Sequence, residues 1–286
     1  MRLADIERHL ASMSELQRIV GAMRALASMR VQEAVRALPS VRTYGDALAE
    51  AVREALAIAG DERITSTEPS RHGGKRAIVV FTSEHGFVGA FNERLIDAAT
   101  FAAGDALILV GSRGAALVME RGVRLAATQA MATRLASVPE VVHKLQETLY
   151  PAIAAGETAC AEVFFGRYQR SGMADIQRLR LFPLTIAPGR ERTGPAPLHD
   201  LPAAELLERM TAEYLFARLT EAAVESLAAE NGARFAAMES AHDNVGKRLQ
   251  ALRLEASRAR QEEVTAELLD LVTGQLAVDR DSAPPA

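Results

Sequence analysis

Few residues in this chain have the types and spacing of a catalytic site. Glu84 and His85 are adjacent and follow a short apolar run, so they could form the acid–base pair of a hydrolase. Two glycines in the same segment, Gly86 and Gly89, favour a simpler interpretation, a tight turn between a strand and a helix. The hydrolase remains an alternative to the main hypothesis reached below.

Other candidate chemistry is weaker. The six histidines are scattered, and none has metal-ligand spacing with a second histidine or with the single cysteine, Cys160. Cys160 precedes an apolar run, which predicts a buried and unreactive thiol. The glycines at 73–74 and at 111 and 114 match neither a phosphate loop nor the dinucleotide fingerprint. We therefore expect no catalytic residue, no cofactor and no metal site.

The composition is that of one ordinary domain with additional elongated structure. The 286 residues are 49% apolar and only 5% aromatic. A net charge of −4, from 33 basic and 37 acidic residues, gives no strong attraction for nucleic acid or anionic lipid. No apolar run reaches the roughly 18 residues of a membrane helix, and the first residues are too charged for a secretory signal. We expect membrane contact only through a complex.

Both ends of the chain predict long helices. Residues 203–283 contain no proline, and an unbroken helix over 203–277 would be roughly 110 Å long, so it must project as a stalk. Pro39 should bend or end the N-terminal helix, although 41–59 again favours helix. Apolar residues at steps of three and four form a narrow coiled-coil seam in each helix. The seams comprise Leu3, Ile6, Leu10, Met13, Val20, Ala27, Val31, Ala34 and Leu38, and Phe235, Met238, Ala241, Val245, Leu249, Leu252, Ala256 and Ala259.

The middle of the chain has a different pattern. Short apolar runs predict strands at 77–81, 106–110, 162–168 and 176–184, separated by helices near 91–103, 112–121 and 138–155. This alternation predicts a small Rossmann-like α/β domain with a largely parallel sheet. The predicted organisation is a helix over 1–60, a polar linker at 60–76, the α/β domain over 77–187, a loop at 188–202, a helix over 203–277 and a disordered tail at 278–286. The fold class is α/β with a long antiparallel coiled coil.

Three separated segments resemble the gamma subunit of F-type ATP synthases. The N-terminal helix IERHLASMSELQRIVGAMRALASMR, the segment TSEHGFVGAFNERL and the C-terminal SLAAENGARFAAMESAHDN with ARQEEVTAELLDLVTG carry the similarity. They occur in the family's order and span residues 2 to about 277. Departures such as Glu84 and His85, where the family has Asp-Arg, indicate a divergent paralogue from an alternative bacterial rotary ATPase.

The resemblance implies a central rotor stalk. Such a subunit couples ion translocation through a membrane c ring to ATP synthesis or hydrolysis in a ring of alpha and beta subunits. It is present at one copy per three alpha and three beta subunits, and its α/β domain contacts the epsilon subunit and the c ring. It is not an enzyme by itself, and it is a peripheral protein on the cytoplasmic side of the inner membrane.

The resemblance also implies which residues contact partners. Arg260 and Gln261 match the polar catch for loops of the catalytic subunits, and Met23 should lie at the same level on the other helix. Beyond them an apolar tip would act as a bearing. The full set of expected contact residues is Met23, Arg260, Gln261, Thr265, Leu268, Leu271 and Leu276, and the loop at 198–202 is a further candidate for contact with the c ring. The alternative of another class is a ligand-binding α/β domain on a coiled-coil dimerisation stalk.

Overall fold

The structure is a computed structural model that describes residues 3–59, 75–170, 174–184 and 198–281, with side chains described as far as residue 269 in the last range. The chain divides into two units, each considered by itself. The helix-pair unit comprises Met1–Arg24 and Met238–Ala286, and the sheet unit comprises Ala25–Ala237. The helices and strands follow in chain order. They are α1 Leu3–Ala59, β1 Lys75–Phe81, α2 Phe91–Ala98, β2 Ala106–Val110, α3 Ser112–Glu120, β3 Ala127–Gln129, α4 Val138–Ala154, β4 Thr158–Arg167, β5 Asp175–Phe182 and α5 Ala203–Asp281.

The helix α1 runs through Pro39 without ending, which excludes one of the two expected outcomes, an end of the helix at the proline. Proline removes one backbone hydrogen bond, a cost that tertiary packing can offset. Leu38 before the proline and Val52 and Ala55 after it are buried in the main core, which holds the helix on both sides of Pro39. The Thr43 hydroxyl also donates to the Pro39 carbonyl at 2.9 Å.

The segments that flank the predicted elements lie partly outside the described residues. The expected linker at 60–76 is described only at Lys75 and Arg76, which begin β1. The expected loop at 188–202 is described from Leu198 onward, and α5 begins at Ala203. The α5 backbone extends to Asp281, past the expected end at 277, and 282–286 lie outside the described residues.

The sheet has five strands in the order β3-β2-β1-β4-β5. Neighbouring strands are parallel except for β4 and β5, which are antiparallel. The prediction of a largely parallel sheet is therefore confirmed. The short strand β3 was missed because it has three residues, Ala127–Gln129, and no apolar run that would mark it.

The two faces of the sheet build two apolar clusters. Alternate residues of β1 point to opposite faces, as expected for strands. Val79 and Phe81 pack in the cluster that includes α4 and parts of α1 and α5. Ile78 and Val80 pack in the cluster that includes α2 and α3. The sheet unit is therefore layered, with helices on both faces of the sheet.

The helix-pair unit is an antiparallel pair. Ile6 packs against Leu252 and Ala256, while Arg24, farther along α1, bonds to Glu239, an earlier residue of α5. Within this unit the predicted seams are buried at Ile6, Val20, Met238, Leu249, Leu252 and Ala256 and half-buried at the other positions. In the sheet unit the predicted seam residue Phe235 is exposed. The fold class, a coiled-coil helix pair with an α/β domain, is confirmed.

Candidate functional site

Most of the expected partner-contact residues lie in the helix-pair unit, on the part of α5 that follows its packed seam. Arg260 donates to Glu7 of α1 through a 2.6 Å bond between Nη2 and Oε1. Their side chains are 64% and 49% exposed, so the contact orients Arg260 without removing it from solvent. An exposed pair of this kind contributes at most about 1 kcal/mol to stability.

A shallow groove brings three of these residues together. Arg260, Gln261 and Thr265 line it together with Leu10 of α1 and Val264 of α5. The Thr265 hydroxyl donates to the backbone carbonyl of Gln261 at 2.7 Å, and Gln261 is exposed. The Arg260 guanidinium and the Gln261 amide therefore border an apolar strip that includes Leu10 and Val264.

The residues that follow form an exposed apolar segment. Every residue from Gln261 to Leu269 is exposed, including Val264 at 49% and Leu268 at 58%. Leu271 and Leu276, the remaining expected bearing residues, belong to the α5 backbone, and their side chains lie outside the described part of the chain. A short segment that exposes several large aliphatic side chains is typical of a surface that contacts a partner.

Met23 does not lie at the level of Arg260, and this expectation was wrong. Arg24, the next residue of α1, pairs with Glu239, whereas Arg260 pairs with Glu7. At about 1.5 Å per residue, the separation along α1 is roughly 25 Å. Met23 is half-buried in the pair. The register of two antiparallel helices decides which residues meet, and the seam alone left that register open.

The sheet unit contains a second feature, a socket that encloses α5. Every residue from Ala222 to Gly232 is buried, so three turns of this helix have no solvent-exposed side. The Ser226 hydroxyl donates to the Phe81 carbonyl at the end of β1, at 3.2 Å. A helix buried on all sides needs small side chains where backbones approach, and 222–232 supplies four alanines and a glycine.

Two glycines allow the close contacts of the socket. A Cβ on Gly166 of β4 would lie 2.8 Å from the Phe91 ring and 3.0 Å from the Cβ of Ala229. A Cβ on Gly232 would lie 2.7 Å from the ring of Tyr168. The close neighbour of Gly232 is therefore an aromatic side chain that follows β4.

Buried charges cross the socket at two levels. At the first, the Glu225 side chain, 2% exposed, accepts a hydrogen bond from Arg42 of α1 and lies 3.7 Å from Arg167 Nε of β4. At the second, Arg234 is paired with Glu230 at 2.6 Å, and both side chains are at most 7% exposed. Burial raises the pKa of Glu230 above its ordinary value, although Arg234 opposes that rise.

Arg234 also holds the segment that follows β1. Its guanidinium donates to the His85 carbonyl at 3.0 Å and to the Gly86 carbonyl at 3.2 Å. Beyond these residues Phe87 adopts a positive φ of 62° and is 66% exposed. The hydrogen bonds keep this turn against α5.

Glu84 has a structural partner set, which disfavours the acid–base hypothesis. Its carboxylate accepts from the Ser112 hydroxyl at 2.6 Å and from the backbone N–H groups of Ser112 and Met131, at 3.2 and 2.8 Å. Burial alone would raise the pKa of Glu84, but these hydrogen bonds outweigh it, so the pKa lies below its ordinary value. Glu84 thus caps the start of α3, where backbone N–H groups favour an anion.

The socket also occupies the position at which α/β domains bind ligands. In open parallel sheets, ligands bind beyond the carboxyl ends of the strands where the strand order reverses. In this sheet that point lies between β1 and β4. There α5 supplies Ser226 against β1 and Ala229 against β4. The chain's own helix fills the crevice, which argues against the alternative of a ligand-binding domain.

Cys160 lies in β4 and is half-buried, so it is a strand residue and does not precede the strand as expected. Burial raises the pKa of its thiol, which is the direction of an unreactive cysteine.

Comparison with known proteins decides the family. The model of the family described as ATP synthase matches residues 2–278. A curated ATP synthase gamma chain from Rhizorhabdus wittichii is 28% identical over 96% of this chain and 99% of its own length. This chain belongs to the ATP synthase gamma-subunit family.

Other gamma chains and solved structures agree with this membership. The gamma chain of Caulobacter vibrioides is 24% identical over 96% of this chain and 99% of its own length. A chain of the Euglena gracilis mitochondrial ATP synthase, in a structure of OSCP, F1 and c-ring, has the same fold with a TM-score of 0.63 at 14% identity, covering 99% of this chain and 97% of that one. A chain of the Tetrahymena thermophila central stalk and c-ring gives 0.55 at 14% identity, over 78% of this chain and 99% of that one.

The predicted family and function are confirmed: this gamma-family chain is a central stalk subunit of a rotary ATP synthase. Among the described residues, no helix combines the length and the apolarity needed to cross a membrane. The sequence did not point to the socket. The signal that could have revealed the socket is the stretch AAVESLAAENG at 222–232, in which small residues occupy most faces of the helix in place of a single apolar stripe.

Proposed function

We propose that the exposed end of α5 contacts the catalytic subunits and passes the rotor's angular position to them. The carrying observation is the run from Gln261 to Leu269, exposed throughout and apolar at Val264 and Leu268. Arg260 and Gln261 would form the polar catch, and the residues that follow, including Thr265, Leu271 and Leu276, would form the bearing.

The partners follow from the family. The chain would be present once per three alpha and three beta subunits, and the sheet unit would contact the epsilon subunit and the c ring, with the exposed Leu198 near that contact. Membrane contact would occur only through the complex, on the cytoplasmic side of the inner membrane. The chain would not be catalytic by itself, and it would bind no cofactor and no nucleic acid.

The coupling has a physical basis in symmetry. One helix pair cannot contact three identical catalytic subunits in the same way, so each rotor angle gives each catalytic site a different contact free energy. A site that gains contact energy in one conformation is biased toward it. The coupling is reciprocal, so ion flow can drive synthesis and hydrolysis can drive pumping.

Arg260→Ala in the assembled complex tests this proposal. A loss of about 1 kcal/mol of contact free energy in the rate-limiting step would slow coupled turnover roughly fivefold. The chain should stay folded, because the Arg260–Glu7 pair is exposed. Arg248→Ala, at an exposed position of the same helix outside the groove, is the matched control. Unchanged turnover in the Arg260 variant would contradict the assignment.

Met23→Lys tests the other expected contact separately. The side chain is half-buried in the helix pair, so a lysine there should perturb coupling by placing a charge at the pair's surface.

Co-purification of the chain with alpha and beta subunits, at one copy per three of each, tests the stoichiometry. A stable homodimer formed by the purified chain would favour the dimerisation stalk instead.

A further inference from the structure

The socket around α5 holds the helix tightly, but its apolar wall does not by itself specify an angle. The enclosed residues include Ala222, Ala223, Ala228 and Ala229, whose side chains differ little in shape. Small side chains distinguish one rotational position of a helix from another less strongly than large ones do, because the helix surface then varies less in shape around its axis. A rotor needs a contact that adds to the close packing at Gly166 and Gly232 and opposes rotation of the helix.

Glu225 has the properties of such a contact. It lies on the enclosed turns, and its carboxylate accepts a hydrogen bond from Arg42 of α1. Arg167 Nε of β4 lies 3.7 Å from the same oxygen. Three elements, α5, α1 and the sheet, therefore meet at one carboxylate.

A second acidic residue extends this contact. Arg42 Nε also lies 3.4 Å from Glu221 Oε1, one turn earlier on α5, and Glu221 is bonded at 2.5 Å to Arg218. Arg42 thus bridges two successive turns on the same side of α5. The bridge constrains the position of α5 along its axis as well as its angle.

The charge makes the angle specific. A rotation of about 100°, one residue around the helix, would move the carboxylate away from both guanidinium groups. On either side of Glu225 along the chain, Val224 lies in the main apolar core and Ser226 faces the end of β1. A buried charge without its partner is strongly unfavourable, and fixing register is the best-attested use of buried ionic groups.

We propose that Glu225 is a positioning residue that fixes the rotational position of α5 relative to α1 and to the sheet. Torque then passes between α5 and the sheet without rotation of the helix in the socket. This inference depends on the proposed rotor function. In this proposal Arg42 and Arg167 hold the Glu225 carboxylate in place.

The test uses the intact ATP synthase, purified with the variant chain and reconstituted into vesicles. Glu225→Gln keeps the side-chain shape and removes the charge. The hydrolysis rate and the ATP-driven membrane potential, read with a voltage-sensitive dye, are measured together. We expect hydrolysis to be retained, while potential generated per ATP falls about fivefold, the low end of coupling changes between linked sites.

Two further variants make the result decisive. Glu205→Gln removes an exposed partner of Arg209 on the same helix, and it should leave the ratio unchanged. Arg42→Gln leaves Glu225 with Arg167 alone and should give a smaller loss of potential per ATP than Glu225→Gln. The double variant of Arg42 and Glu225 should lose no more potential per ATP than Glu225→Gln, because both residues act through one contact. If Glu225→Gln fails to assemble, Arg42→Gln decides.

The inference is overturned if the assembled variants keep the wild-type ratio, or if hydrolysis and potential fall equally. Those outcomes differ from a failure of the rotor assignment. If the rotor assignment were wrong, the wild-type chain itself would not assemble with alpha and beta subunits, and the vesicles would develop no ATP-driven potential.

Discussion

The helix α5 has two regions with opposite environments. From Ala222 to Gly232 every residue is buried, and both charged side chains among them, Glu225 and Glu230, are paired with arginines. From Gln261 to Leu269 every residue is exposed, although Val264 and Leu268 are apolar. Local polarity therefore predicts the environment of these glutamates and of these aliphatic side chains wrongly. The first holds the helix in its own chain, and the second leaves contacts for another.

The largest expected effect comes from unpairing a charge in the enclosed region. Arg234→Met should leave Glu230 buried without a partner, a change that costs about 3–5 kcal/mol in buried ion pairs. The carbonyls of His85 and Gly86 would lose a donor as well. Denaturant unfolding of the purified chain, followed by circular dichroism, should show a clearly lowered midpoint.

Arg209→Met is the matched control for that prediction. Arg209 lies on the same helix and pairs with Glu205 through exposed side chains, so its loss should cost less than about 1 kcal/mol. Equal midpoint shifts in the two variants would contradict the distinction between the enclosed and the exposed charges.

The same glycine substitution should have opposite signs in two parts of α5. Gly232→Ala places a methyl 2.7 Å from the Tyr168 ring, and such overpacking costs about 1–3 kcal/mol. Gly246→Ala places it 3.6 Å from Gln17 Nε2, an ordinary contact, so the helix should gain up to about 1 kcal/mol from alanine's higher propensity.

Unfolding midpoints of the two alanine variants test the sign. A gain in stability at 232 would show that Tyr168 moves aside freely and that the socket is less tightly packed than described. A loss at 246 would show that the helix pair has closer packing there than the 3.6 Å contact indicates.

The smallest effect concerns the loop that Arg234 holds, and it depends on pH. The pKa of Glu84 is lowered in the folded chain, so its contribution to stability is present above the ordinary value of 4.5 and is lost as pH falls through the lowered value. Glu84→Gln should flatten the stability profile in that acidic window. Parallel profiles for wild type and variant would exclude Glu84 as the source.

Periodicity in the chain predicted much of the fold because it reports local geometry. The apolar runs at 77–81 and 106–110 are strands in the structure, and the seam of α1 is buried at Ile6 and from Val20 to Leu38. The helix α1 nevertheless continues through Pro39, because buried contacts on both sides of the proline outweigh the local cost. Local preference is a weak term where tertiary packing is strong.

The candidate sites were only partly predictable. Arg260, Gln261 and Thr265 line one groove, and the spacing of four between Gln261 and Thr265 places these two on one face of the helix. Met23 was placed at the wrong level, since a repeating seam is compatible with several registers, and long-range contacts such as the pairs Arg24–Glu239 and Arg260–Glu7 distinguish them.

By itself the amino-acid sequence determined the long terminal helices, the parallel strands and the family, because each depends on neighbours a few residues apart or on motifs read in order. The tertiary structure decided that Glu84 caps α3, that α5 fills the crevice at β1 and β4, and that Glu225 meets Arg42 and Arg167. These contacts join residues that are far apart in the chain, and their energies depend on burial and distance, which no local pattern contains.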